Sequence, residues 1–309
     1  MWIVVVLLLV LLLATVAVLI YFIHQYFGGS AKPFDLDEVL KDFPERRARI
    51  ASARKEFDQM PFEEVHTVSD DGLRLHADLY RAPRDEGRYL ICMHGYHSTV
   101  HDFVCAVDFF QSQGFHILLV HQRAHGKSEG KWTTFGIKER YDCLAWCRYL
   151  NERFGEEKIK IVLDGLSMGA TTVLLASELP LPKNVKGIMA DCGFTSPWEI
   201  VCHVASDALH IPRFPLLYLL RPAVSLMADF DLKAASTVEA VKKCPLPILY
   251  IHGLADDFVP HEMSRRAYEA RPENSYLVNV EGAGHGLSYV VDEIACQEAT
   301  GRFLKEVIK

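Results

Sequence analysis

The chain has 309 residues, with 33 Lys and Arg against 40 Asp and Glu and a formal net charge of −7. At 50% hydrophobic and 24% charged residues, it suits one large folded domain plus an accessory segment, not a disordered chain. The mild acidity and the lack of a basic patch argue against a nucleic-acid partner. Internal repeats and low-complexity stretches are not evident.

The first element is a long run almost without polar residues. From Trp2 to Ile23 there is no charged residue, and the first one after Met1 is Lys32. About 22 residues at roughly 1.5 Å rise reach about 33 Å, enough to cross a hydrocarbon core. Residues 1–27 therefore read as a transmembrane signal-anchor helix, with Trp2, Tyr21, Phe22 and Tyr26 as interfacial anchors. A cleavable signal would show a basic start and a shorter apolar core. Cleavage within Gly28-Gly29-Ser30-Ala31 and burial as a core helix remain the alternatives. Lys32, Lys41, Arg46, Arg47 and Arg49 follow the span, so the positive-inside rule puts the rest of the chain in the cytoplasm, with the outer face as the alternative. Eight cysteines, none in a C-x-x-C or zinc spacing and several in apolar stretches, read as reduced thiols and agree with that side.

Residues 28–61 form a linker, with a charged helix expected over Lys41 to Phe57. Val65 to Arg81 alternates as a hairpin around Asp70-Asp71-Gly72. Apolar strands then alternate with helices: Arg88 to Met93, Phe115 to Val120, the helical stretch Ile137 to Phe154, the strand Ile159 to Leu163, and the helical stretch Thr171 to Glu178. That order implies an α/β domain over 62–309, with a mostly parallel sheet and helices on both faces.

Chemistry concentrates at strand ends. Gly165-Leu166-Ser167-Met168-Gly169 follows an apolar strand where the chain must turn sharply into a helix. A serine hydroxyl is a weak nucleophile, so a protein using one exposes it on a tight turn beside a base. Small residues two positions either side let strand and helix cross there. Downstream, Ile248 to His252 runs into Gly253-Leu254-Ala255-Asp256-Asp257, and Ser275 to Val280 runs into Glu281-Gly282-Ala283-Gly284-His285-Gly286. His285 on its glycine-flanked loop is the expected general base for Ser167. Asp256 is the expected partner of the imidazole, with Asp257 and Asp191 as alternatives. His121 and His125 suggest a metal pair, but no H-E-x-x-H accompanies them. No metal and no cofactor is expected.

Four signatures together resemble the α/β-hydrolase superfamily, within its serine-aminopeptidase-like and esterase-like hydrolases. They are Met93-His94-Gly95-Tyr96, the loop His121-Gln122-Arg123-Ala124-His125-Gly126-Lys127-Ser128, the Ser167 turn, and the Asp256 and His285 turns in that chain order. The second resembles the D-x-R-G-H-G-x-S loop of such enzymes but has His121 for Asp and Ala124 for Gly. The resemblance implies an α/β-hydrolase fold, a Ser167–His285–Asp256 triad, and an oxyanion hole from the backbone N–H groups of Tyr96 and Met168. His94 is expected to be structural.

About fifty residues separate the strand ending near Asp191 from the one starting near Pro245, more than a crossover needs. Residues 192–244 are therefore expected to form a short helical lid. Its apolar middle, Phe214, Leu216, Leu217 and Leu220, is expected to roof a pocket above Ser167, with Phe194 to Pro197 at the floor. The alternative is simple packing on the core. Three functions fit: a membrane-anchored serine hydrolase taking a small-molecule or lipid-like ester or thioester, a peptidase or acyltransferase with the same triad, and a non-catalytic scaffold. Because the triad lies wholly beyond the span, a chain starting near Lys32 is expected to stay active.

Overall fold

The structure, a computed structural model, describes residues 2–29, 44–208, 210 and 213–309. Residues 30–43 of the expected linker, and Leu209, Ile211 and Pro212 of the expected lid, lie outside the described residues.

An eight-stranded sheet organises the chain. Its strands are β1 (Glu63–Val68), β2 (Arg74–Tyr80), β3 (Arg88–Met93), β4 (Phe115–His121), β5 (Lys160–Leu166), β6 (Val185–Asp191), β7 (Ile248–Gly253) and β8 (Ser275–Val280). The spatial order is β1-β2-β4-β3-β5-β6-β7-β8. β1, β2 and β4 pair antiparallel, and the strands from β4 onward run parallel. The hairpin turns at Asp70–Gly72, as its turn residues dictate.

The helices are α1 (Trp2–Phe27), α2 (Pro44–Phe57), α3 (Val107–Ser112), α4 (Glu139–Phe154), α5 (Met168–Ala176), α6 (Pro197–His203), α7 (Tyr218–Ala228), α8 (Thr237–Val241), α9 (Glu262–Ala270), α10 (Ser288–Val291) and α11 (Glu293–Val307). Trp146 and Cys147 of α4 and Val173 and Leu174 of α5 fill one face of the sheet. Phe110 of α3 and Phe303 and Leu304 of α11 fill the other. α2 joins that second layer through Ile50 and Phe57, and Phe57 stacks on Tyr80 at 5.1 Å. The central strands are buried on both faces, so they read as continuous apolar runs and not as alternating ones.

A third apolar cluster sits beyond the strand ends, where α6, α7 and α8 replace a simple β6–β7 crossover. It includes Ile23 and Phe27 of α1. Residues Trp2 to Leu13 of α1 are exposed, and only the last turns dock. The helix is long and apolar enough to cross a membrane. It is not a core helix, since 6% of its most apolar window is buried.

Candidate active site

Ser167 stands between β5 and α5 with φ +55° and ψ −112°, a left-handed backbone rarely held by a residue with a side chain. The strain is locked in by its surroundings. The Ser167 N–H donates to the Asp191 carbonyl at 2.8 Å, and its own carbonyl accepts from Thr171 at 3.0 Å. A Cβ on Gly165 would overlap the Gly169 backbone, and one on Gly169 would overlap the Met93 carbonyl. Only glycine at both positions lets β3, β5 and α5 meet this closely.

The loops after β7 and β8 bring the partners over this turn. His285 Nε2 lies 2.9 Å from Ser167 Oγ, and His285 Nδ1 lies 2.7 Å from Asp256 Oδ2. Asp256 is buried. Its other oxygen accepts the N–H groups of Phe258 at 3.0 Å and Val259 at 2.8 Å. Burial works to raise its pKa, but hydrogen bonds from His252 and His285 outweigh that and hold the carboxylate well below the usual range. Of the alternatives, Asp257 is exposed. Asp191 accepts from Ser288 at 3.1 Å and is pushed up to about 6, chiefly by burial.

The amide of Met168 opens α5, where no preceding helical carbonyl is in reach. On the facing loop, Gly95 N–H donates to Asp102 at 2.8 Å and His97 N–H to the His125 ring at 3.1 Å. The backbone is thereby pinned on both sides of the Tyr96 amide. Beneath it, His94 Nδ1 contacts the Gly95 carbonyl at 2.8 Å and its Nε2 accepts from Gln122 N at 3.2 Å. Burial pushes the His94 pKa down, which favours a neutral ring serving the loop.

A family model described as alpha/beta hydrolase fold matches residues 89–208. The chain has the α/β-hydrolase fold. An uncharacterized protein of Bacillus subtilis (strain 168), YqkD, is 26% identical over 223 residues, which are 72% of this chain and 73% of the relative. The solved Pyrococcus furiosus esterase Pf2001 superposes with a TM-score of 0.67 at 23% identity, over 81% of this chain and 92% of that one. Pyrococcus horikoshii acylaminoacyl peptidase superposes at 0.57 and 16% identity, over 82% of this chain and 43% of that one. The first superposition gives fold, and the second shows the same scaffold in a protein named as a peptidase.

The two departures in the loop after β4 of this α/β-hydrolase fold have structural accommodations. Ala124 stands at φ +62°, which explains why glycine is usual there. His121 turns to Asp78 at 3.3 Å, while buried Arg123 pairs with Asp142 at 2.6 Å and with Asp71 at 2.9 Å. The His121–His125 pair suggested by sequence is therefore spent on loop architecture. Cys192, Asp256 and His285 place potential metal-ligand atoms within 4.8 Å of one another, but His285 and Asp256 already engage each other there.

An apolar cavity of about 60 Å³ opens at Ser167. Phe194, Tyr96, Phe135, Ile200, Val204 and Phe258 contribute to its lining, and so do Phe22, Tyr26 and Phe27 of α1. Among the described residues, none that lines it carries a charge. This corrects two expectations. Phe214 and Leu217 do not line this cavity. Phe214 precedes Pro215, which forces an extended backbone (φ −103°, ψ 136°), and its side chain is 77% exposed. Leu217 is buried instead in a separate cleft with Val18, Leu19, Phe22, Leu216 and Leu220. The wall expected from the lid comes in part from α1, so the clean separation of span and site does not hold. Phe22 and Tyr26, expected as interfacial anchors, face the cavity.

The end of α1 is tied in by polar contacts as well. Tyr96 donates to the Tyr26 carbonyl at 2.5 Å, and Thr133 N–H donates to the Phe27 carbonyl at 2.8 Å. Gly29 N–H donates to Lys131 at 3.2 Å, and Gly28 bridges Trp132. Phe27 meets Phe135 edge-on at 5.3 Å, and Phe135 stacks on Tyr96 at 5.0 Å. Sequence reasoning missed His252, whose Nε2 lies 3.1 Å from Asp256 and whose Nδ1 lies 2.7 Å from Ser264. Its signal was present as a histidine four residues before Asp256.

Proposed function

We propose that this chain is a membrane-anchored serine hydrolase that cleaves carboxylic ester or thioester bonds through an acyl-enzyme on Ser167. The observation that carries the reading is the hydrogen-bonded line from Ser167 through His285 to Asp256, ending at an uncharged apolar cavity. In this reading, Ser167 Oγ attacks the substrate carbonyl carbon while His285 Nε2 takes the hydroxyl proton. Asp256 fixes the imidazole tautomer and stabilises the imidazolium. The amides of Tyr96 and Met168 hold the oxyanion. Collapse breaks the ester or thioester bond, and the departing alcohol or thiol takes the proton from His285. Water, deprotonated by the same ring, then releases the acid and restores Ser167.

A peptidase acting on free amino termini would want a carboxylate in the cavity, and none stands among the described lining residues. The buried Ile23 and Phe27 and the backbone bonds of Tyr26 and Phe27 favour a retained anchor over a cleaved signal. Eight free cysteines and the arginines of α2 favour the cytoplasmic side. The test is covalent labelling of the full chain by a fluorophosphonate, followed by a panel of nitrophenyl esters, thioesters and aminoacyl amides. Labelling at Ser167 with ester turnover supports the reading. Labelling elsewhere, or a preference for aminoacyl amides, overturns it.

A further inference from the structure

Two apolar spaces meet at one residue of α1. Phe22 lines the Ser167 cavity together with Tyr26 and Phe27. It also lines a second, narrow cleft of about 10 Å³, together with Val18 and Leu19 on α1 and Leu216, Leu217 and Leu220 opposite. α1 and α7 pack against each other along this cleft. No polar surface interrupts its lining. From Tyr26 to Val18 the helix rises about 12 Å, and beyond Val18 its side chains are the exposed apolar ones that a hydrocarbon core would cover.

We propose that cavity and cleft form one acyl-chain path that opens sideways from the bilayer, so that the substrate is a long-chain acyl ester or thioester resident in the membrane. This rests on the serine-hydrolase reading above and names its substrate class. The carbonyl reaches Ser167 while the tail lies along Phe22, Leu19 and Val18, between α1 and the segment Leu216–Leu220. The span is then both tether and binding wall. A tail in this path exchanges lipid contact for protein contact, so it loses little on leaving the bilayer. A water-soluble short ester reaches Ser167 without filling the cleft, and α1 contributes less to its turnover.

The path makes a prediction that the triad alone does not. The full chain is placed in phosphatidylcholine vesicles carrying 4-methylumbelliferyl palmitate, and its efficiency is compared with that on 4-methylumbelliferyl acetate. Leu19→Trp and Leu216→Trp fill the cleft from opposite walls without touching Ser167. Each is expected to lower the palmitate-to-acetate ratio of kcat/KM at least tenfold, whereas a ratio within twofold of the parent overturns the path. A second measurement does not need turnover. Ser167→Ala protein is irradiated in vesicles containing a palmitoyl ester with a diazirine near the chain end. Cross-links at Val18, Leu19, Phe22 or Leu216–Leu220 support the path. Cross-links confined to the exposed face of Trp2–Leu13 overturn it. Absence of fluorophosphonate labelling in the parent would refute the hydrolase reading separately, and the cross-links would still judge the path.

Discussion

The Tyr96 hydroxyl donates to the Tyr26 carbonyl at 2.5 Å, joining the loop that carries an expected oxyanion amide to the last turn of α1. One contact thus couples the apolar span to the serine site. Tyr96→Phe removes that bond and leaves the ring stacked on Phe135. A bond of this kind contributes about 1 kcal/mol, so the variant is expected to melt a few degrees lower. Turnover of acetate should fall by less than turnover of long esters, because the cavity wall loosens before the amide moves. Thermal unfolding and paired ester kinetics on the full chain check both.

Ser167→Ala removes the attacking atom and almost no volume. Fluorophosphonate labelling is expected to vanish and ester turnover to fall by about 10³-fold or more, with the melting temperature preserved or raised because the strained turn carries one polar atom fewer. Persistent labelling at another serine would refute the assignment.

The carboxylates separate by what they touch. Asp256 meets His285 at 2.7 Å, so Asp256→Asn is expected to cost on the order of 10⁴ in turnover through the wrong imidazole tautomer. Asp257 is exposed, and Asp257→Asn should change turnover by about twofold or less. A large loss at Asp257 would show that the turn after β7 is misassigned.

Asp191 offers a pH signature of its own. Its folded pKa is raised to about 6 from an ordinary 3.8, mainly by burial. A raised carboxyl binds its proton more tightly in the folded state, so its stabilising share is complete below about pH 4 and is lost as pH rises through about 6. Asp191→Asn keeps the acceptor for Ser288 and removes that loss. The variant should match the parent near pH 4 and exceed it above pH 7, by a margin on the order of 3 kcal/mol. Denaturant melts at both pH values measure this, and an equal margin at the two would contradict it.

The serine turn was legible because sterics leave few residues able to build it. Gly165 and Gly169 mark where β3, β5 and α5 cross, and no composition argument is needed to see that. The sheet was legible for a similar reason, as the buried strands are mostly apolar runs ending at polar turns. The cavity wall was not. In α1 nearly every position up to Ile23 is apolar, so no apolar face singles out Phe22 or Phe27 from Leu9 or Leu11 as the residues that dock. Which residues dock is decided by partners distant in sequence, Tyr96, Phe135 and Trp132. Phe214 misled in the opposite sense. It sits in an apolar run, but Pro215 turns its backbone outward.

The contribution of α1 can be read from a chain-length series. Each methylene buried contributes about 0.8 kcal/mol, or about fourfold in kcat/KM if expressed in the transition state. For the full chain, efficiency should climb from acetyl through medium-chain to long-chain esters and level off once cavity and cleft are both filled. A chain starting at Lys32 lacks the Phe22, Tyr26 and Phe27 wall, and loses the burial of Ile23 and Phe27, worth about 1.5–3 kcal/mol each. It should melt at a lower temperature and keep labelling at Ser167. Its chain-length profile should flatten, because the longer tail now faces water where the helix stood. Parallel profiles for the two chains would mean that α1 is a tether only, and that the cavity is closed by α6 and the residues after it.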